Sequence, residues 1–310
     1  MDQSVPTSLP ITQADVGDAR PAPAPAMVAR VILLAGGPKP SPLAAACGAT
    51  PLLLPATPAG TTLLAHWSDA VGRALGDGPL DAVICAGAGC PAPIRQLAAR
   101  EGWRVVEDGA TYRGPAGVLR DATADLPPDA TVLVLEAARI ARSPLEPAIA
   151  GHVRSGADAT VGMNPDRTPA GLLLLRAGTL DRVPPIGYMD LKEQFLTKLK
   201  LAGLRVRIAA VPAPGLVGFR TRAEFLDAVL GRDDGAPGAG ASVRSGMIVS
   251  GEARVHEGAH VVRSVIGAGC RVEEGAVVVR SIVTDGAVVA AGRAVSDAVV
   301  TNRGLVRDLE

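Results

Sequence analysis

The sequence predicts a mixed α/β protein. Its main body is a three-layer, mostly parallel sheet of Rossmann-like type, and a β-helix of about three coils follows. Two observations carry this expectation. Short apolar runs alternate with helical patterns over residues 30–230, and near the C-terminus a 17-residue echo replaces that alternation.

Residues 1–28 are rich in Pro and Ala, with no basic segment ahead of an apolar core. They read as a disordered leader, not a secretory signal. Residues 30–35 are a short apolar run ending at Gly36-Gly37, the pattern of a buried strand feeding a turn. Residues 61–75 have helical spacing (Leu63, Leu64, Trp67, Val71, Leu75) and stop at Gly76. A second strand is expected at 81–86, a helix at 91–101 and a short strand at 103–106. Residues 116–126 read as a helix ended by Pro127-Pro128, and 131–135 as the clearest buried strand. Ser143-Pro144 with Glu146 predicts a capped helix start with Pro at the first helical position. Strands are expected at 158–163, 171–176 and 205–211. Asp190 and Glu193 have the spacing of a helix cap and its third residue, ahead of a helix to 202. Thr221 and Glu224 repeat that spacing on the last helix, which ends at Gly231. Residues 29–230 thus form the α/β domain, and 231–246, rich in Gly, Ala and Asp, a linker.

In 247–302, aliphatic residues fall at Val249, Val255 and Val261, at Ile266, Val272 and Val278, and at Val283, Val289 and Val295. Steps of six, six and five then restart, which is a solenoid pattern with one inward aliphatic per step. Ala253, Cys270 and Ala287 are small inward positions. Gly258, Gly275 and Gly292 are expected at corners with positive φ, and Val265, Ile282 and Val299 also align. Residues 303–310 are a tail.

Composition excludes several function classes. The formal net charge is zero and aromatics are 2% of residues, so neither a polyanion partner nor a base-stacking platform is indicated. Four cysteines without a C-x-x-C pair point to a reducing, cytoplasmic setting with neither a disulfide framework nor zinc. No apolar run is long enough to span a membrane.

Three stretches carry a family resemblance. Residues 31–37 (VILLAGG) resemble the opening strand and turn of sugar-phosphate nucleotidylyltransferases. Residues 113–122 (RGPAGVLRDA) resemble their second nucleotide-contacting loop, and 187–203 is similar to a segment of the mannose-1-phosphate guanylyltransferase branch. The coils resemble the hexapeptide-repeat left-handed β-helix, and the handedness comes from that resemblance alone. The family fold is nucleotide-diphospho-sugar transferase-like. Its reaction joins a nucleoside triphosphate to a sugar 1-phosphate, releasing pyrophosphate, with Mg²⁺ held by two aspartates and with Arg or Lys from the first loop.

Under the resemblance, Gly36, Gly37, Lys39, Gly114, Ala116 and Gly117 would contact nucleotide, and Asp190 and Lys192 the sugar phosphate. Each has a plainer reading: tight turns, helix starts, a helix cap at Asp190, and solvated charges at Lys39 and Lys192. The chain also departs from the family where the chemistry sits. The first loop reads Pro38-Lys39-Pro40-Ser41-Pro42 without arginine, and Thr50 stands at the lysine position. Ala138 stands at the first metal aspartate and Gly218 near the second. Glu136 is the one candidate for a displaced metal ligand; otherwise it is a strand-end acid facing water or Arg139. The resemblance therefore implies either a catalytically silent nucleotide-sugar-binding relative, needing no cofactor, or an active Mg²⁺-dependent guanylyltransferase-type enzyme with a rearranged loop. Association with a like chain or an active paralogue through the coils is expected. His256 and His260 raise acyl transfer by the coils as a remote alternative. His66 and His152 have no partner legible in the sequence.

Overall fold

The computed structural model describes residues 28–37, 39–48, 50–76, 80–108, 113–231 and 246–307. All but the last residue of the expected leader, and most of the linker, lie outside them.

The α/β strands are β1 (Val28–Leu34), β2 (Ala82–Ala86), β3 (Trp103–Glu107), β4 (Thr131–Glu136), β5 (Arg139–Ala141), β6 (Ala159–Met163), β7 (Pro169–Arg176), β8 (Val206–Ala210) and β9 (Leu216–Gly218). Seven make one sheet in the order β3-β2-β1-β4-β7-β6-β8. Only β7 runs against its neighbours, so the sheet is mostly parallel, as expected. β5 and β9 form a separate antiparallel pair beside it.

Helices cover both faces: α1 (Pro42–Cys47), α2 (Leu63–Leu75), α3 (Ala92–Arg100), α4 (Gly114–Ala122), α5 (Glu146–Ser155), α6 (Leu196–Leu201) and α7 (Arg222–Leu230). Alternate residues of the central strands feed two cores. Val31, Leu33, Ile84, Leu133 and Leu135 pack with residues of α1, α2, α3, α5 and α7. Ile32, Val83, Val132 and Val134 pack with α4 and with Phe195 and Leu199. This period-2 alternation inside continuous apolar runs is what a sheet buried on both faces requires.

Local chemistry sets several boundaries. Thr62 caps α2 by accepting from Ala65 N, and Thr221 with Glu224 closes a full capping box on α7. One cap expectation fails. Leu145, not Ser143, precedes α5, with Pro147 in its first turn. The Ser143 hydroxyl is spent elsewhere: it donates to Pro212 O (2.7 Å) and accepts from Gly215 N (2.8 Å). A buried tertiary bridge has taken the group the cap would have used.

The coils form a triangular parallel β-helix. One sheet stacks Met247–Val249, Ser264–Ile266, Ile282–Val283 and Ala298–Thr301. The second stacks Arg254–Val255, Arg271–Val272 and Val288–Val289, and the third His260–Val262, Val277–Val279 and Ala294–Ser296. The aliphatics read as inward from spacing fill the prism together with Cys270 and Ala287. A last strand, Gly304–Arg307, folds back antiparallel on Ala298–Thr301 within the expected tail and covers that sheet edge.

The corners differ from expectation in part. Gly275 and Gly292 take φ of 67° and 68°, but Gly258 stays outside the left-handed region. Its turn is tied instead by His256 Nδ1, which accepts from Gly258 N (3.1 Å). The left-handed corner repeated in every coil belongs to Arg263, Arg280 and Asp297 (φ 45°, 44° and 52°). Non-glycine residues there cost about 1–2 kcal/mol each. These three are tied down: Arg263 bonds Asp227 (2.8 Å), while Arg280 and Arg222 share Asp297 (Arg280 Nε 2.8 Å; Arg222 Nη2 3.3 Å). Ser264 and Ser281 follow two of these corners, each accepting from the backbone N–H one coil on.

The stripe Ile248, Val265, Ile282 and Val299 points out of the prism and into the α/β core. The two regions therefore share one continuous apolar interior. One of the three coil faces is used within the chain and is closed to a partner.

Candidate functional site

β1 continues on one side to β2 and β3, and β4 returns on its other side. Ligands of open α/β sheets bind at such a switch point, outside the carboxyl ends of the strands. A cavity of about 510 Å³ lies there, lined by Gly36, Gly37, Lys39, Ser41, Gly87, Gly89, Ala137 and Ala138 among others. A second cavity of similar volume lies across the loop after β4, lined by Arg139, Asn164, Asp166, Thr168, Lys192 and Gly218 among others. Glu136 ends β4, directly ahead of Ala137 and Ala138 of the first cavity and Arg139 of the second.

Gly36 is required by backbone crowding. A Cβ there would collide with Gly87 N and stand 2.8 Å from the carbonyl carbon of Ala86. Gly37 is different: nothing lies within 4 Å of its would-be Cβ, and it is exposed to the cavity with Lys39. The floor is rigid and apolar. Ala137 N donates to Leu34 O (2.9 Å), Trp67 Nε1 to Ala137 O (3.3 Å), and Phe219 N to Ala138 O (3.1 Å). From beneath, Ala141 N donates to His66 Nε2 (3.1 Å), and burial lowers the pKa of that imidazole, favouring the neutral form that accepts. The Ala137 N–H and both carbonyls are thus engaged, and the side chains at 137–138 are only methyl groups.

Glu136 is not poised as a metal ligand. Its Oε2 accepts from Arg139 Nε (2.8 Å), and its Oε1 lies 3.8 Å from Lys192 Nζ. Among the described residues no group of three or more His, Cys, Asp or Glu converges as a metal site. A divalent magnesium ion wants carboxylate and other oxygen donors. One carboxylate already held by two cations does not fit it.

The remaining expected site residues divide. Lys192 lines the second cavity. Asp190 is a helix cap, accepting from Lys192 N (2.7 Å) and Glu193 N (2.9 Å). It opens the single π-turn Leu191–Phe195 ahead of α6. Gly114, Ala116 and Gly117 are buried at the start of α4 and are not among the residues lining either cavity. A Cβ on Gly114 would stand 2.5 Å from Met189 O, and one on Gly117 would stand 2.6 Å from Arg113 Cβ. Met189 thus packs over Gly114, and Arg113, the residue ahead of α4, over Gly117.

Sequence reasoning missed Asn164 and the placement of Arg139. Asn164 mimics a peptide: Oδ1 accepts from Leu216 N (2.9 Å) and Nδ2 donates to Leu216 O (3.0 Å), fixing β9 as the wall of the second cavity. Nothing local in the sequence marks that role. His152, the other unassigned histidine, is buried against Thr160 (Nδ1–Oγ1 2.8 Å). His256 and His260 are exposed on the coil surface.

Comparison with known proteins agrees with the two-part architecture. Residues 232–308 match the family model described as GlmU-like, C-terminal hexapeptide. The chain also shares its fold with a Bacillus anthracis protein assigned as a glucose-1-phosphate thymidylyltransferase and solved with sucrose. The TM-score is 0.50 at 13% identity, covering 66% of this chain and 95% of that one. No curated protein sequence matches significantly. No helix among the described residues is long and apolar enough to cross a membrane.

Proposed function

We propose that the chain is a sugar-nucleotidyltransferase relative that binds a nucleotide sugar in the switch-point cleft and forms or breaks it weakly or not at all. Residues 29–230 are the binding unit, and residues 247–302 are a left-handed β-helical mount whose two remaining faces serve self-association or pairing with an active relative. The fold, the coil match and the opening VILLAGG turn support the family reading. One observation carries the silence. Where phosphoryl transfer needs anchored charge, the two cavities offer Ala137, Ala138 and Gly218; of the nearby acids, Glu136 is paired with Arg139 and Lys192, and Asp166 is tied to Thr168. Removing one preorganised charged group from such a centre commonly costs about 10²–10³ in rate.

No base is assigned. The segment that resembles the guanylyltransferase branch spends Asp190 on a helix cap, which weakens it as a specificity signal. The test is pyrophosphate release from a panel of nucleoside triphosphates and sugar 1-phosphates with Mg²⁺. Alongside it, thermal shift is measured with nucleotide sugars. Stabilisation without turnover is expected. Turnover at ordinary enzyme rates, on the order of 1–10³ s⁻¹, would end the proposal.

A further inference from the structure

Arg139 sits in a cradle made for it. It pairs across β5–β9 with Gly218, where a Cβ would stand 3.1 Å from Arg139 Nη1. On the other side is Gly171, at φ 65°. A Cβ there would collide with Arg139 Nε and stand 2.6 Å from its Cδ and 2.7 Å from Glu136 Oε2. Two strands are therefore bare of side chains where the guanidinium passes. Nε is spent on Glu136 and Nη1 on Leu216 O (3.2 Å), while Nη2 makes no hydrogen bond among the described residues. The side chain is 14% exposed, lines the second cavity and stands beside Lys192 on its rim.

A guanidinium braced at two nitrogens keeps a fixed direction and a permanent charge. Such a group recognises phosphate oxygens, and a nearby ammonium adds a mobile second charge. The charges around the cleft limit the ligand. Lys39, Arg139 and Lys192 stand against Glu136 and Asp166, and Asp166 is itself tied to Thr168 (N 2.9 Å, Oγ1 2.6 Å). So small a positive excess cannot neutralise a free triphosphate. It is closer to matching a diphosphate bridge, which carries one charge per phosphorus.

Resting on the nucleotide-sugar reading above, we infer that Arg139, assisted by Lys192, grips the diphosphate bridge of a nucleotide sugar directly, without a divalent cation. Arg139 selects the diphosphate-linked sugar over a metal-bound triphosphate. The same guanidinium that excludes the metal supplies the charge the metal would have brought.

Titration calorimetry with GDP-mannose, UDP-glucose and dTDP-glucose tests this, each in Mg²⁺ and in excess EDTA. At least one sugar nucleotide should bind with the same affinity in both, and tighter than its parent triphosphate in EDTA. Arg139→Gln should weaken binding about tenfold or more, and Arg139→Lys should not restore it. Lys192→Gln, on an exposed side chain that folding does not need, should weaken binding by about threefold to tenfold. Binding that requires Mg²⁺, or that survives in both Arg139→Gln and Lys192→Gln, overturns the inference and leaves the nucleotide-sugar reading intact. No binding of any of the three in either condition overturns that reading and the inference with it.

Discussion

Truncating Ile282 to alanine tests whether the β-helix is part of the α/β core or only attached to it. Ile282 is fully buried, on the outward stripe that packs with the α/β residues. The substitution removes three carbons, worth about 2.4 kcal/mol in transfer terms. The interface is braced by Arg263–Asp227 and by Arg222 on Asp297, so collapse around the gap is restricted. A residual cavity of about 60 Å³ adds roughly 1.4 kcal/mol. The total, about 4 kcal/mol, corresponds to a Tm loss on the order of 6–7 °C for a chain of this size. Differential scanning calorimetry should show one transition that moves as a whole. Val288→Ala, on a coil face turned to solvent, should cost about 0.5 kcal/mol or less. Two separate wild-type transitions, with Ile282→Ala moving only one, would refute the shared core. So would a shift no larger than that of Val288→Ala.

Acid should weaken the fold through His152, whose burial lowers its pKa to about 4. The unfolded chain takes up the proton near pH 6.5 and the folded one only near 4, so stability falls as pH drops through that window. The loss approaches about 3 kcal/mol. Urea unfolding of His152→Gln should show a flatter slope between those pH values. Gly36→Ala forces the first turn away from Gly87; it should lower Tm and abolish nucleotide-sugar binding, read by calorimetry. Asp297→Ala leaves a left-handed corner without its stabilising ties and removes the acid facing buried Arg222. We expect a loss of about 2 kcal/mol in urea unfolding, with Asp297→Asn losing less because asparagine tolerates that φ.

Much of the site was legible, and the limits have local causes. The Gly36-Gly37 turn, the strand end at Glu136 and the absence of acids at 138 and 218 read directly from residue identity. The small residues of α4 can be read in two ways. Glycine at a close helix–loop packing and glycine at a ligand look the same in sequence, and only Met189 lying over Gly114 separates them. Ser143 shows the same ambiguity, since a hydroxyl three residues ahead of a glutamate suits a cap as well as a long-range bridge. Arg139 was visible as a neighbour of Glu136. That Gly171 and Gly218 are vacant for its sake joins positions far apart in the chain, and no local pattern encodes it.

The sequence by itself determined what depends on periodicity and on neighbours a few residues away. The alternating α/β order, the capping box on α7, the inward aliphatics of the coils and the lack of acids at 138 and 218 belong here. Each is fixed by backbone geometry or by the presence of one side chain. Only the tertiary structure decided which surfaces meet. It placed the Val265–Ile282–Val299 stripe, aligned by the 17-residue repeat, in the core shared with the α/β region. It put left-handed arginines at the coil corners against α7, and it set a guanidinium where a metal ion was expected. Those outcomes depend on which distant groups satisfy one another's charge and apolar surface, a sum over the whole chain that no short window contains.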